Sequence, residues 1–372
     1  MRLETLLPLG TVDPGPGTPT TPLDLTSVAS SAVLLEQAGY SGLVVEESKD
    51  DPFTVLALAA TATTTLRLGT AVAIAFPRSP TVMALSAWTL QKLSNGRFIL
   101  GLGSQVRGHI ERHYGVPWSA PGPWMREYVQ AVRAVWDCWQ NDAPLSFAGR
   151  RYSLNLMVPL FNAGPLPHPS IPIHLAAVNP GMCSVAGEVA DGVRPHPVCT
   201  PSYIAEIMLP AVRRGAFRAG RSLSEFRVCM KPLVACARTG AELESKVRDA
   251  RARIAFYAST PGYRAAFEHL GLSSLADSAA VLSRAQRWEE LPPLISDSVL
   301  EQFTVIGTYD EIASKLLDRF GDVVTDIEFS IVASSDEDLV TLAALAHTIQ
   351  SHDEAAARAT ITGQPPHPAR AR

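Results

Sequence analysis

The chain of 372 residues is 47% hydrophobic and only 18% charged. A composition so rich in Ala, Val and Leu buries a large core, which excludes disorder over most of the length. The formal net charge of −4 supplies no basic footprint for nucleic acid or for an anionic membrane surface.

In chain order, a first short strand ends near Leu7, and Asp24 to Ala38 reads as an amphipathic helix stopped by Gly39. Gly42 to Val45 is a short apolar strand, after which Asp51-Pro52 opens an Ala-rich helix with Asp51 as N-cap. Leu66 to Ile74 is the next strand, Ser79-Pro80 a second capped helix start, and Phe98 to Leu102 a further strand. Later, Ile171 to Ala177, Gly192-Val193, Phe226 to Cys236 and Asp326 to Ile331 read as strands. Helical patterns at Pro180 to Ala190, Pro201 to Ala219, Glu242 to Tyr257 and Tyr309 to Phe320 separate them. Strands apolar on both faces with helices between them argue for a parallel sheet. About eight such units in series predict a closed (β/α)8 barrel, one domain over residues 1–351. Residues 140–170 and 258–300 break the repeat and are read as insertions over the C-terminal mouth. Residues 352–372 lack apolar periodicity and are read as a disordered tail.

Five cysteines at irregular spacings, with no CxxC pair, exclude a disulfide framework and a zinc ribbon. They read as buried thiols in a reducing cytoplasm. Glu4, Pro8, Gly10 and Asp13 interrupt any signal-peptide core, and no run is long enough to span a bilayer. The expectation is a cytoplasmic protein without membrane, nucleic-acid or metal partners.

Gly101-Leu102-Gly103 follows a strand but fails the dinucleotide fingerprint, because the third glycine should stand where Val106 does. His109 and His113, in HIERH, have the spacing of zinc proteases but a misplaced glutamate, so structural roles are expected. Gly-x-Ser-x-Gly is absent. On a barrel, polar groups at C-terminal strand ends line the site. His196 after one strand and Glu46, Glu47 and Asp51 after another are therefore candidates for proton chemistry, weighed against a solvated loop.

LRLGTAVAIAFPRSP, followed by WTLQKLSNGRFILGLGSQVRGHIERHYG, resembles the luciferase-like flavin and deazaflavin oxidoreductases, with Ser94 to Gly103 as the most specific string. MREYVQAVRAVWDCW, IPIHLAAVNPGM and AGEVADGVRPHPVCTPSYI extend the likeness over most of residues 1–240. ESKDDPF and ADGVRPHP resemble the actinobacterial subgroup dependent on coenzyme F420, an 8-hydroxy-5-deazaflavin. The resemblance implies a TIM barrel that binds a flavin-shaped ring at its mouth. Ala71-Val72 would form a bulge, often a cis peptide, behind the ring; Gly103, Ser104, Gln105 and Val106 would flank the ring and ribityl chain. Ala176, Ala177, Val178 and Asn179 would cradle the phosphate before a helix, where backbone N–H groups favour an anion.

Departures accompany the likeness. Val178-Asn179 replaces a frequent Gly-Gly, Glu47-Ser48 a frequent Asp-His, and Trp124 stands where a basic residue is expected. The leading expectation is F420-dependent hydride transfer with a small organic substrate, Glu47 or His196 supplying the proton. A monooxygenase using reduced FMN from a partner reductase, and a non-redox protein on the same barrel, stand as alternatives. The resemblance also implies a homodimer, through the weakly charged helices at Phe53 to Ala62 and Val82 to Leu93.

Overall fold

The structure, a computed structural model, describes residues 1–10 and 22–364. Its strands in chain order are β1 (Arg2–Thr5), β2 (Gly42–Val45), β3 (Arg67–Thr70), β4 (Ala73–Ile74), β5 (Phe98–Gly103), β6 (Phe147–Ala148) and β7 (Ser153–Leu154). They continue with β8 (Ile173–Ala177), β9 (Gly192–Pro195), β10 (Arg227–Met230), β11 (Leu233–Ala237), β12 (Thr304–Thr308) and β13 (Asp326–Glu328). Parallel neighbours run β3-β2-β1-β13-β10-β9-β8-β5, and pairing of Leu68 with Phe98 and Gly69 with Ile99 closes the ring. The result is a TIM barrel.

The first helices are α1 (Val28–Gln37), α2 (Pro52–Ala62), α3 (Pro80–Leu93), α4 (Arg107–Arg112), α5 (Pro121–Asn141) and α6 (Pro180–Val189). A short α7 (Pro201–Tyr203) passes through a π-helical segment into α8 (Leu209–Arg218), and α9 (Gly240–Ala258) follows. The remainder are α10 (Arg264–His269), α11 (Ser273–Arg284), α12 (Asp297–Phe303), α13 (Ile312–Phe320), α14 (Asp336–Gln350) and α15 (Ala355–Thr362). Helix starts follow the sequence chemistry closely. Asp51 accepts from the Thr54 N–H and Ser79 from the Val82 N–H, each just ahead of an N-terminal proline. Core positions on the strands, among them Leu3, Leu43, Leu68, Phe98 and Leu100, are sealed from solvent.

Several expectations change. Leu66 to Ile74 is two strands, interrupted by the Ala71-Val72 peptide, which is cis. The Phe226 to Cys236 stretch is also two strands: Pro232 has no N–H to donate, and beyond it β11 leaves the barrel to pair with β12. Residues 352–372 are not a free tail throughout. Helix α15 buries Ala357 and Ile361, while Glu354 pairs with Arg227 at 2.9 Å and Arg213 donates to the Thr360 carbonyl at 2.7 Å. Glu354, paired with Arg227 and Arg358, and two buried apolar residues hold a segment too short to show periodicity. Residues 365–372 lie outside the described residues.

The 140–170 insertion also runs elsewhere than expected. It climbs beside α5, where the Arg151 and Tyr152 N–H groups donate to Glu127, and returns to the far end of the barrel. None of its residues lines the mouth, whereas Gly262 and Tyr263 of the 258–300 insertion do.

Glu36 at the end of α1 fixes the turn that feeds β3. Its carboxylate accepts from the Thr64, Thr65 and Leu66 N–H groups and from the Thr65 hydroxyl. Burial raises this carboxyl, but the four donors outweigh it and bring it down to about 2. Its contribution is complete above the ordinary carboxyl range and disappears as pH falls toward 2. Glu36→Gln is expected to cost about 1 kcal/mol in urea denaturation at neutral pH, and progressively less in acid.

Candidate active site

The C-terminal ends of seven barrel strands converge on a cavity of about 880 Å³, within the range of small-molecule and cofactor sites. All of Glu47, Ala71, Val72, Gly103, Ser104, Gln105, Val106, Ala176, Ala177, Val178, Asn179 and His196 line it. Local chemistry explains the smallness of one wall. A Cβ on Gly101 would lie 1.9 Å from the Thr70 carbonyl oxygen, and one on Gly103 would lie 2.6 Å from Val72 Cγ2. The glycines of the LGLG string thus admit the β3–β4 connection against β5. Gln105 next to them adopts a left-handed φ of 54°, and its side-chain oxygen accepts from the Val106 N–H at 2.9 Å.

Opposite, Ala176 and Ala177 end β8, and Asn179 occupies the N-cap of α6 without capping it. Its amide instead donates to the Gly262 carbonyl at 3.1 Å, which ties the second insertion to this rim. The N-terminus of α6 is thus without a side-chain cap, and side chains no larger than alanine border it on β8. These features fit a flat ring with a phosphate-bearing chain.

The two expected proton donors differ. Glu47 accepts from the Ile74 N–H at 2.7 Å, and Arg78 Nη1 lies 2.7 Å from each of its carboxylate oxygens. Burial works against the Arg78 charge, but Glu47 and Asp51 outweigh it and hold the guanidinium above its ordinary range. Glu47 is therefore a clamp on residues 74–78, with both carboxylate oxygens engaged by Arg78 and the Ile74 N–H. His196 Nδ1 accepts from the Val198 N–H at 3.3 Å, so the neutral ring carries its proton on Nε2. Its ring stacks on Tyr263 at 3.9 Å and meets Tyr257 edge-on at 4.7 Å.

Residues that strand-end reasoning misses also line the cavity: Arg126, Arg194, Cys229, Lys231, Tyr263 and Glu328. For Arg194 and Glu328 the signal is charge within strands otherwise apolar on both faces, Gly192–Pro195 and Asp326–Glu328. Trp124 is not among the lining residues. It is buried between Phe76, stacked at 3.8 Å, and the Arg151 guanidinium at 4.3 Å, and donates to Tyr152 Oη at 2.8 Å. His109 and His113 stand with ring centroids 6.4 Å apart, and no group of three or more metal-ligating side chains occurs among the described residues.

The chain matches the luciferase-like monooxygenase family over residues 5–326 and belongs to it. It is 41% identical over 316 residues to the uncharacterized protein Rv1360 of Mycobacterium tuberculosis, covering 85% of this chain and 93% of that one. A second M. tuberculosis protein, Rv3520c, whose name proposes a coenzyme F420-dependent oxidoreductase, is 29% identical over 302 residues, with 76% and 84% covered. Among solved structures, the F420-dependent tetrahydromethanopterin reductase of Methanopyrus kandleri superposes with a TM-score of 0.70 at 20% identity, covering 94% and 98% of the two chains. The oxygenating constituent of a Pseudomonas putida diketocamphane monooxygenase, in complex with FMN, gives 0.63 at 14% identity, again covering 94% and 98%. These likenesses establish the luciferase-like barrel.

Trp124 closes the outer wall and keeps its indole out of the cavity. Tyr152→Phe removes the acceptor of its N–H and is expected to cost about 1 kcal/mol in urea denaturation. Ligand affinity of the cavity should be unchanged in the same variant, as titration calorimetry or fluorescence would show.

Proposed function

We propose that this protein is an oxidoreductase that binds coenzyme F420 in the mouth cavity and exchanges a hydride with a small organic substrate. The observation that carries the reading is the shape of the cavity. One wall is thinned by Gly103 against Val72, and the other presents Ala176, Ala177 and the start of α6. The 29% identity to Rv3520c favours the deazaflavin over FMN. When bound, a reduced deazaflavin supplies a hydride from its ring carbon. The chain's own part is orientation and a proton. Gly103 to Val106 and Ala71-Val72 hold the ring edge and face, Ala176 to Asn179 receive the phosphate, and His196 Nε2 offers an N–H that orients the substrate beside Tyr263. Five free thiols and the absence, among the described residues, of any helix long and apolar enough to cross a membrane are compatible with a cytoplasmic enzyme.

Titrating the protein into coenzyme F420 should quench the deazaflavin fluorescence at micromolar protein; an unchanged signal at saturating protein overturns the reading. Ala177→Glu places bulk and negative charge where the phosphate should lie. It should weaken binding on the order of a hundredfold or more, with folding retained. Ala177→Arg adds bulk of the opposite charge and should lose less. The FMN neighbour supports a second reading, an oxygenase fed by a separate reductase. Oxygen uptake with reduced FMN, and none with the deazaflavin, would replace the first reading by the second.

A homodimer through α2 and α3 completes the proposal. Leu58, Val82 and Leu85 expose 38%, 52% and 51% of their surface on these two helices, where the sequence carries little charge. Light scattering at micromolar concentration should report twice the 39.9 kDa chain mass. A Val82→Glu/Leu85→Glu double variant should halve that mass with an unchanged circular dichroism spectrum. A parent of monomer mass would overturn the dimer.

A further inference from the structure

Two carboxylates share one guanidinium inside the barrel. Arg194 on β9 takes Glu4 of β1 at 2.7 Å through Nη2, while Glu328 of β13 is left at 3.5 Å from Nη1. All three side chains are nearly sealed from water. A second cation near Glu328 is Lys231, whose Nζ stands 3.8 Å from Oε1, and that ammonium is drawn to Glu46 at 2.6 Å. Cys229 on β10 is a neutral thiol pushed well up by burial, and Asp326 on the same strand as Glu328 is taken by Arg227 at 2.7 Å. Arg253 of α9 borders a small adjoining pocket together with Glu328. Glu328, Lys231 and Glu46 all line the mouth cavity. A second ionised carboxylate beside Glu4, with both of these cations held closer to other acids, is the more expensive arrangement; a neutral acid there is the cheaper one.

We propose that Glu328 is the proton store of the mouth cavity, holding a neutral acid beneath Lys231 and returning a proton to that amine each time the amine protonates the bound substrate. This rests on the hydride-transfer reading. In that reaction a carbonyl carbon would take the hydride that the bound cofactor supplies, the C=O π pair would move to oxygen, and Lys231 would give that oxygen one N–H proton. The neutral amine then takes the Glu328 proton, leaving ammonium and carboxylate, and solvent recharges the acid through the open mouth. Substrates are therefore aldehydes, ketones or conjugated carbonyl compounds, whose oxygen settles on Lys231 Nζ. The electrostatics suit such a store. Burial, chiefly, lifts Glu328 to about 8, against the pull of Lys231 and Arg194 and with the push of Glu46 and Glu4. An acid that titrates near the working pH is the efficient one.

The ligand-free protein tests the store directly. Infrared titration should show a protonated-carboxyl band that bleaches with a midpoint near pH 8 and is absent in Glu328→Gln. Lys231→Met should move the midpoint up and Glu46→Gln should move it down, since the first removes a cation and the second an anion. If Glu328→Gln does not fold, these two opposite shifts still decide. A carboxyl already ionised at neutral pH, or midpoints indifferent to both substitutions, overturns the proposal whatever the cofactor is. Stability gives an independent check. Between the unfolded carboxyl pKa and about 8 the folded chain holds the extra proton, so the parent loses stability with rising pH relative to Glu328→Gln.

Turnover with reduced deazaflavin on a panel of aldehydes, ketones and enones then reads the function of the store. Activity of the parent should fall as pH rises through that midpoint. Glu328→Gln should lose about a hundredfold in kcat with little change in KM, and should lose the alkaline fall. An active parent whose profile survives the substitution overturns the role of Glu328. Infrared behaviour as expected in a parent inactive on the whole panel places the failure in the hydride-transfer reading instead.

Discussion

Arg194 is the side chain on which the interior depends. Eight-stranded barrels ordinarily fill their centre with layers of branched apolar residues. Here one layer is a guanidinium held between Glu4 and Glu328, tying β1, β9 and β13 at a single level. These strands are far apart in sequence, and the buried charge links them only when all are present. Removing Arg194 would strand the buried Glu4 carboxylate, a far larger loss than the pair contributes over an apolar layer. What the charged layer adds is a polar floor: the cavity above it ends on Arg194, Lys231 and Glu328 instead of on valine and leucine.

The walls above that floor are shaped by what is missing from the side chains. Thr70 and Val72 approach β5 so closely that only glycine fits at 101 and 103, and Glu47 with Arg78 anchors the segment beyond them. One carboxylate thereby couples the end of β2 to the loop after β4. Alanines on β8 keep the facing wall equally low. Polar groups enter the cavity at the floor and at His196.

Much of the fold was legible because its local signals agree. Pro52, Pro80, Pro180 and Pro201 each stand at the first turn of a helix, and short apolar runs before them are barrel strands. The lining of the mouth was legible through the strand-end positions and the LGLG string. Other features depend on partners that spacing does not reveal. Glu47 reads as a free acid until Arg78, 31 residues on, closes on it. The path of the 140–170 insertion is fixed by Glu127 accepting from the Arg151 and Tyr152 N–H groups, a long-range contact without a sequence pattern. The break after Met230 was visible in Pro232, but β12 was hidden by its short run directly after α12. Glu328 escaped notice because a charged residue in a strand reads as an exposed face, and here the face is the inside of the barrel.

The two ends of the barrel use charge differently, and the layer between them explains how. At the N-terminal end a second cavity of about 740 Å³ is lined by Arg2, Arg133, Asp191, Arg227 and Arg358. There Arg133 and Arg221 pair with Asp191 at 2.7 and 2.9 Å, and the residue before α15 supplies its carboxylate, Glu354, to Arg227 and Arg358. Such closed pairs fasten elements together, as expected of the stabilising face of a TIM barrel. Between the ends stand His174 and Cys229, with Nδ1 and Sγ 3.5 Å apart. Burial, with Arg194 nearby, pushes the imidazole down to about 3, and burial pushes the thiol well up, so both are neutral across the physiological range. A neutral imidazole and a thiol form no charged bridge from one end to the other. The ion pairs below therefore stand apart from the Glu328 carboxyl above, which opens on the mouth.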